Sequence, residues 1–195
     1  MVLDKGRSKA SVLINPVASR LGFLDPNIIT ALSLVLSFIF ALLFYLRFLL
    51  FSFVVLLVSA YLDALDGAVA RIFNKTSLKG DFLDHLFDRY VDLIILLAMA
   101  ISFYGNIYFG TIAIAGTFLT SYVGTQAQAI GLKRLYGGFP GRADRLVIIM
   151  IAILVQIFTG KIYGFYITAW VLLFLGIAGI INSVYRSAVV YRSIS

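Results

Sequence analysis

The sequence predicts an all-α integral membrane protein. Hydrophobic residues make up 62% of its 195 residues and charged residues 13%, whereas charged residues average about 25% of a soluble domain. The mean hydropathy is +1.01. Apolar stretches of about 20 residues, the length that crosses the hydrocarbon core of a membrane, recur along the chain. They show little of the two-residue alternation typical of a membrane β-barrel, so we expect helices.

We expect six transmembrane helices, preceded by an N-terminal amphipathic interfacial helix. The predicted spans are roughly 28–47, 49–70, 81–104, 108–130, 145–160 and 163–185. Before them, Leu13, Val17 and Leu21 recur at helical spacing among basic residues of segment 7–24, a pattern typical of a helix lying in the membrane interface. Anchoring and gating both stay open as its role. We predict one domain over 1–195, with the tail and interfacial helix at 1–26 and the bundle at 27–187.

The basic residues predict the orientation in the membrane. Thirteen lysines and arginines fall in the N-terminal tail, the second and fourth loops and the C-terminal end, whereas the opposite loops carry Arg47 and Lys161. Because cytoplasmic loops are enriched in lysine and arginine, both termini should be cytoplasmic in a multi-pass protein of the cell membrane. The net charge of +7 then reflects topology and attraction to anionic lipid, and we expect no nucleic-acid partner.

Six of the nine acidic residues lie between Asp63 and Asp92, in segments otherwise apolar enough to span a membrane. One aspartate at the centre of a membrane helix costs about 2.5–3.5 kcal/mol, so cations or water must compensate the cluster. Asp63 and Asp66 are three residues apart, and Asp84 and Asp88 are four apart, so each pair shares one helical face. The short loop between the two helices makes them antiparallel neighbours. The four carboxylates should therefore converge near the cytoplasmic surface.

Converging carboxylates predict a site for Mg²⁺ or Mn²⁺, with room for two ions. Zinc is disfavoured because the chain has one histidine and no cysteine. Gly67 and Gly80 would let a bulky ligand approach the backbone, and the Arg71 guanidinium suits phosphate oxygens. The residues alone leave two function classes open, metal-dependent phosphate chemistry and a carboxylate-lined transporter of cations or protons. The transporter is disfavoured because its carboxylates should follow a conduit, whereas these are predicted at one depth.

The string Asp63-x-x-Asp66-Gly67-x-x-Ala70-Arg71-(x)8-Gly80-x-x-x-Asp84-x-x-x-Asp88 resembles the full signature of the CDP-alcohol phosphatidyltransferases. The resemblance implies a metal-dependent enzyme of phospholipid biosynthesis. Such an enzyme transfers a phosphatidyl-type group from CDP-diacylglycerol or CDP-archaeol to a polar alcohol and releases CMP. It is expected to form a homodimer.

The resemblance also implies roles at matching positions. Divalent metal would be bound by Asp63, Asp66, Asp84 and Asp88. Asp88 would in addition be the general base for the acceptor hydroxyl. The CDP-lipid site would be lined by Asn27, Thr30, Gly67, Arg71, Ser77 and Gly80.

Arginines of the last two spans predict the acceptor. Arg142 and Arg145 begin the fifth span and Arg186 lies near the end of the sixth. Guanidinium groups bind phosphate well, so a phosphorylated alcohol is favoured. The Arg142-Ala143-Asp144-Arg145 start is similar to that of the prokaryotic phosphatidylinositol and archaetidylinositol phosphate synthases, so we expect inositol phosphate. Gln126 stands where those enzymes usually carry a basic residue, which leaves glycerol phosphate or serine open as acceptors.

We expect three other polar residues of the third span to have structural roles. Arg89 and Asp92 are three residues apart and are expected to form ion pairs, with each other or with other acids of the cluster. His85 points about 100° around the helix from Asp84, so packing or a hydrogen bond is expected of it rather than metal ligation.

Overall fold

The computed structural model describes residues 14–132 and 138–194, and this part of the chain contains six long helices. They are α1 (Pro26–Tyr45), α2 (Leu49–Ile72), α3 (Leu78–Ile101), α4 (Ile107–Ala129), α5 (Arg142–Phe158) and α6 (Ile167–Ile194). Each helix corresponds to one predicted span, and the all-helical class is confirmed. The largest difference is at α6, which continues to Ile194 instead of ending near 185.

Four of the helices, α1, α2, α4 and α6, are long and apolar enough to cross a membrane. The chain is therefore a multi-pass membrane protein. The other two predicted spans differ from these four in charge or in length. Helix α3 carries the acidic residues from Asp81 to Asp92, and α5 has only 17 residues, or about 26 Å at 1.5 Å per residue. A total of six spans stays a prediction.

Helices α1 and α2 pack together through small polar residues. The buried residues of this pair include Ser33, Ser37, Ser52 and Ser59. The hydroxyls of the first three donate to backbone carbonyls three residues earlier, and Ser59 donates to the Ser33 carbonyl at 3.0 Å. Large apolar side chains such as Phe38 and Leu42 are exposed. This distribution suits a lipid environment, where small residues let helix backbones approach and apolar ones face the hydrocarbon.

Short-range hydrogen bonds and backbone conformations define the start of α1 and the loop between α2 and α3. Asp25 caps α1, because its carboxylate accepts the Asn27 N–H at 2.9 Å and Pro26 occupies the first helical turn. Between α2 and α3, Asn74 has a φ of 53°, a left-handed conformation that asparagine adopts more readily than most residues. The Ser77 hydroxyl then accepts the Gly80 N–H at 3.0 Å at the start of α3.

The described part of the predicted interfacial helix packs on α2. Residues 14–18 are helical, and Ala18 lies in a core cluster with Ile29, Leu65, Ala68 and Val69. Leu21 packs against this cluster, whereas Val17, predicted on the same face, is exposed. Leu13 and the rest of the predicted helix before it lie outside the described residues. An interfacial location therefore stays a prediction, while contact with α2 is observed.

The chain divides into two compact units, with the boundary between Ile95 and Leu96 inside α3. In the C-terminal unit, α4 and α5 both pack on α6. Glycines bring α4 and α6 into backbone contact, since a Cβ on Gly116 would lie 2.5 Å from the Gly176 carbonyl oxygen. A Cβ on Gly179 would lie 2.8 Å from the Gly116 backbone. The N-terminal unit holds all six aspartates of the acidic cluster.

Candidate active site

A pocket in the N-terminal unit is lined by residues of α1, α2, α3 and the loop between α2 and α3. All six residues predicted for the CDP-lipid site line it, namely Asn27, Thr30, Gly67, Arg71, Ser77 and Gly80. Two of the predicted metal ligands, Asp66 and Asp84, line it as well. The other two, Asp63 and Asp88, lie about one turn away along α2 and α3. The structure thus gathers the signature residues around one space.

The two signature glycines, Gly67 and Gly80, leave space in the pocket because they have no side chains. A Cβ on Gly80 would lie 3.2 Å from the Ser77 hydroxyl and 3.4 Å from the Asn27 side-chain oxygen. A Cβ on Gly67 would lie 3.2 Å from the Arg71 guanidinium, which therefore extends over the glycine. A larger residue at either position would crowd a polar group that faces the pocket.

Asp66 is the most enclosed carboxylate of the pocket. It is 4% exposed, and its Oδ2 accepts a hydrogen bond of 2.6 Å from the Thr30 hydroxyl of α1. Thr30 is itself 5% exposed. The contact joins residues 36 positions apart in the chain, so it links the two helices at the pocket floor.

The residues of α3 fit a divalent cation. Ligand atoms of Asp84, His85 and Asp88 all lie within 4.8 Å of one another, and carboxylate oxygens are the ligands that Mg²⁺ and Mn²⁺ prefer. The His85 ring lies 3.4 Å from an Asp81 oxygen and 3.9 Å from an Asp84 oxygen. His85 therefore has the polar contacts expected of it, but it also lies closer to the acidic cluster than its helical angle predicted.

Arg89 contacts two aspartates on α3. Its guanidinium lies 3.3 Å from an Asp92 oxygen, so the predicted ion pair is present. It also lies 3.9 Å from an Asp88 oxygen, so it contacts a second acid of the cluster. Asp92 is 3% exposed, and its pairing with Arg89 reduces the cost of burying its charge.

Two charged residues of the pocket were not assigned to it from sequence. Asp81 lines the pocket, and its position three residues before Asp84 could have indicated this. Lys75 lines it as well, but its ammonium donates to the carbonyls of Gly22 at 2.6 Å and Leu24 at 3.1 Å. Lys75 therefore joins the α2–α3 loop to the segment before α1, whereas the sequence analysis assigned it to membrane topology.

The three predicted acceptor arginines all belong to the C-terminal unit. Arg145 is buried in the first turns of α5, and Arg142 begins that helix. The N-terminus of α5 is fixed by the Asp144 carboxylate, which accepts the Gly141 N–H at 2.9 Å. Arg186 of α6 donates to the Thr120 carbonyl of α4 at 3.1 Å. Gln126 is exposed on α4.

The profile of the CDP-alcohol phosphatidyltransferase family matches residues 23–182 of the chain. The chain belongs to this family. It is therefore a metal-dependent CDP-alcohol phosphatidyltransferase of phospholipid biosynthesis. Six residues of the signature described above line the pocket, namely Asp66, Gly67, Ala70, Arg71, Gly80 and Asp84.

Several proteins of known name are similar to this phosphatidyltransferase. The archaetidylinositol phosphate synthase of Pyrococcus horikoshii is 31% identical over 172 residues, covering 87% of this chain and 92% of that protein. The phosphatidylinositol phosphate synthase of Cutibacterium acnes is 29% identical, covering 78% and 77%.

Solved structures are similar as well. The crystal structure of Mycobacterium tuberculosis phosphatidylinositol phosphate synthase with CDP-DAG bound has a TM-score of 0.77 and 27% identity, and covers 91% of this chain and 93% of that one. A second structure of that enzyme, with manganese and citrate, also has a TM-score of 0.77, with 28% identity and coverage of 91% and 88%. The acidic residues found here therefore belong to a fold in which another enzyme was solved with a divalent cation.

Proposed function

We propose that this enzyme transfers the phosphatidyl-type group of CDP-diacylglycerol or CDP-archaeol to inositol phosphate, with release of CMP. The proposed donor, a CDP-activated lipid, is supported by one observation: Asp66, Asp84 and all six predicted CDP-lipid residues line the same pocket. The acceptor half is supported by similarity over most of the chain to enzymes named for inositol phosphate products.

The donor would bind along the pocket of the N-terminal unit. Asn27 and Ser77 present polar atoms beside Gly80, where the missing side chain leaves room for a nucleotide. The Arg71 guanidinium, which extends over Gly67, would hold phosphate oxygens by charge-assisted hydrogen bonds. The hydrocarbon tails would remain in the bilayer beside the exposed apolar side chains of α1 and α2.

Four aspartates would hold the divalent cations, namely Asp63, Asp66, Asp84 and Asp88, and we propose two ions of Mg²⁺ or Mn²⁺ per site. When bound, such ions neutralise the charge of the diphosphate and of the departing CMP. In the transfer, the acceptor hydroxyl oxygen bonds to the β-phosphorus of the donor and the bond from that phosphorus to CMP breaks. The Asp88 carboxylate takes the hydroxyl proton. Arg89, 3.9 Å from Asp88, would keep that carboxylate oriented.

Arg142, Arg145 and Arg186 would bind the phosphate of the acceptor. Arg145 is 5% exposed, so a phosphate that reaches it must leave bulk water. Hydrogen bonds between charged groups are stronger inside the protein than in water. The hydrogen bond of Arg186 to the Thr120 carbonyl fixes one edge of its guanidinium. A free alcohol such as serine offers no phosphate to such a set.

The reaction assay uses purified enzyme with either CDP-lipid and a panel of acceptors: inositol phosphate, inositol, glycerol phosphate and serine. We expect CMP release only with Mg²⁺ or Mn²⁺, and a lipid product whose mass corresponds to the inositol phosphate adduct. Product with glycerol phosphate or serine alone would overturn the proposed acceptor and leave the donor chemistry intact. Absence of CMP release with every acceptor, in the presence of Mg²⁺ or Mn²⁺, would overturn the proposed transfer to inositol phosphate.

We also propose six membrane spans, an interfacial N-terminal helix, cytoplasmic termini, an active site facing the cytoplasm, and a homodimer. The asymmetric distribution of basic residues supports the orientation. The natural chain contains no cysteine, so single cysteines can be labelled with an impermeant maleimide in intact cells. We expect labelling of Tyr163→Cys, and labelling of Ser19→Cys only after permeabilisation. The reverse pattern would overturn the orientation, and light scattering of the purified protein tests the dimer.

A further inference from the structure

The resemblance to the family implies that Thr30 lines the CDP-lipid site, but its hydroxyl is directed at a carboxylate. The Thr30 Oγ1 to Asp66 Oδ2 distance is 2.6 Å, within the range of about 2.5–2.7 Å for a hydroxyl that donates to a carboxylate. We propose that Thr30 is a positioning residue for Asp66, whose carboxylate it holds in the orientation that binds the divalent cation. This inference rests on the proposed role of Asp66 as a metal ligand.

The Thr30 hydroxyl is already used within the protein. Its oxygen also lies 3.0 Å from the Pro26 carbonyl one turn earlier in α1, and a hydroxyl has a single proton to donate. Both acceptors face the hydroxyl from inside the protein, so its proton is engaged before a nucleotide arrives. The branched side chain also has few rotamers in a helix, which keeps the oxygen in place.

The helix contact behind Thr30 is ordered by further hydrogen bonds. The Ser33 hydroxyl donates to the Thr30 carbonyl at 2.7 Å, and Ser59 of α2 donates to the Ser33 carbonyl at 3.0 Å. Thr30 is thus fixed relative to α2, the helix that carries Asp66. Holding Oδ2 restricts rotation of the Asp66 carboxylate.

Partners that orient a metal ligand contribute strongly to metal affinity. Removing one costs roughly 10–100-fold in metal affinity or activity. Thr30→Val keeps the branched shape and removes the hydroxyl, whereas Thr30→Ser keeps the hydroxyl. The matched control is Thr117→Val, because Thr117 is a buried helical threonine of the C-terminal unit whose hydroxyl bonds to none of the described residues.

The test titrates Mn²⁺ into each purified full-length protein and follows free Mn²⁺ by electron paramagnetic resonance. We expect Thr30→Val to weaken Mn²⁺ binding roughly 10–100-fold, with Thr30→Ser and Thr117→Val close to wild type. At saturating Mn²⁺, Thr30→Val should keep a near-normal KM for CDP-lipid, which a lost nucleotide contact would raise. If Thr30→Val does not fold, Thr30→Ala replaces it, and unfolding curves verify the fold of every variant.

The outcomes separate this inference from the proposed function. If Asp66→Asn loses Mn²⁺ while Thr30→Val binds it like wild type, the positioning role is wrong and the metal site stands. A raised KM for CDP-lipid with normal Mn²⁺ affinity would instead make Thr30 a nucleotide contact. If Asp66→Asn binds Mn²⁺ normally, the metal role of Asp66 is wrong, and the positioning role is overturned with it.

Discussion

Gly116→Ala tests the backbone contact between α4 and α6. The added Cβ would lie 2.5 Å from the Gly176 carbonyl oxygen and 3.0 Å from the Ile180 nitrogen, whereas ordinary contact begins near 3.4 Å. Because both neighbours are backbone atoms, the helices must separate by up to about 0.9 Å at this point. Overpacking of this kind costs about 1–3 kcal/mol, and alanine regains about 1 kcal/mol of helix propensity over glycine. We expect a net loss of up to about 2 kcal/mol in unfolding free energy.

The same separation should affect acceptor binding. The Thr120 hydroxyl donates to the Gly179 carbonyl at 2.8 Å, and Arg186 donates to the Thr120 carbonyl at 3.1 Å. Both bonds join α4 to α6 within about one turn of Gly116. Loss of the hydrogen bond between Arg186 and the Thr120 carbonyl would change the position of the Arg186 guanidinium. We expect the KM for inositol phosphate to rise about tenfold, equivalent to about 1.4 kcal/mol. The KM for CDP-lipid should change little, since its proposed contacts lie in the N-terminal unit.

Thermal unfolding in detergent and steady-state CMP release measure the two effects. Gly160→Ala is the control, because its Cβ would meet none of the described atoms within 4 Å. If Gly116→Ala unfolds at a higher temperature than wild type, direct contact between the α4 and α6 backbones is refuted. If it is destabilised but both KM values rise equally, the proposed division between donor and acceptor residues is wrong.

Three further predictions concern the pocket. Asp88→Asn should abolish turnover while CDP-lipid binding stays within about tenfold of wild type, because the proton acceptor is lost but the other ligands remain; normal turnover would exclude Asp88 as the base. Removing metal with EDTA should stop CMP release, and Mn²⁺ or Mg²⁺ should restore it; release in EDTA would contradict metal dependence. Lys75→Met should raise the KM for CDP-lipid severalfold, because the Lys75 ammonium holds the Gly22 and Leu24 carbonyls beside the pocket. The salt dependence of this KM should stay the same, and a marked change in it would indicate direct contact between Lys75 and phosphate.

Local patterns account for what the sequence predicted of the fold. Each predicted span corresponds to one helix of the structure. The end of α6 was predicted too early, because hydropathy marks where a helix is apolar and not where its hydrogen bonding stops. Residues 187–194 include no glycine or proline, so the helix continues to Ile194 through a mixture of polar and apolar residues.

In the site, contacts within one helix were predictable from the sequence, whereas contacts between distant segments were not. The Arg89–Asp92 pair depends on a spacing of three within one helix, and the structure contains it. The Thr30–Asp66 bond joins residues 36 positions apart, and no periodicity in a single sequence indicates which threonine of α1 faces which aspartate of α2. The contact of Lys75 was not predictable for the same reason, since its partners are backbone carbonyls that precede α1.

The serines between α1 and α2 have a consequence for engineering this enzyme. The hydroxyls of Ser33, Ser37 and Ser52 bond within their own helices, so their contribution to the contact between helices is mainly their small volume. Alanine at Ser37 or Ser52 would keep the close approach and raise helix propensity. Ser33 and Ser59 differ, because the Ser33 hydroxyl holds the Thr30 carbonyl and the Ser59 hydroxyl bonds across to α1. Stabilised variants for structural work can therefore begin at Ser37 and Ser52, leaving the contact between Thr30 and Asp66 untouched.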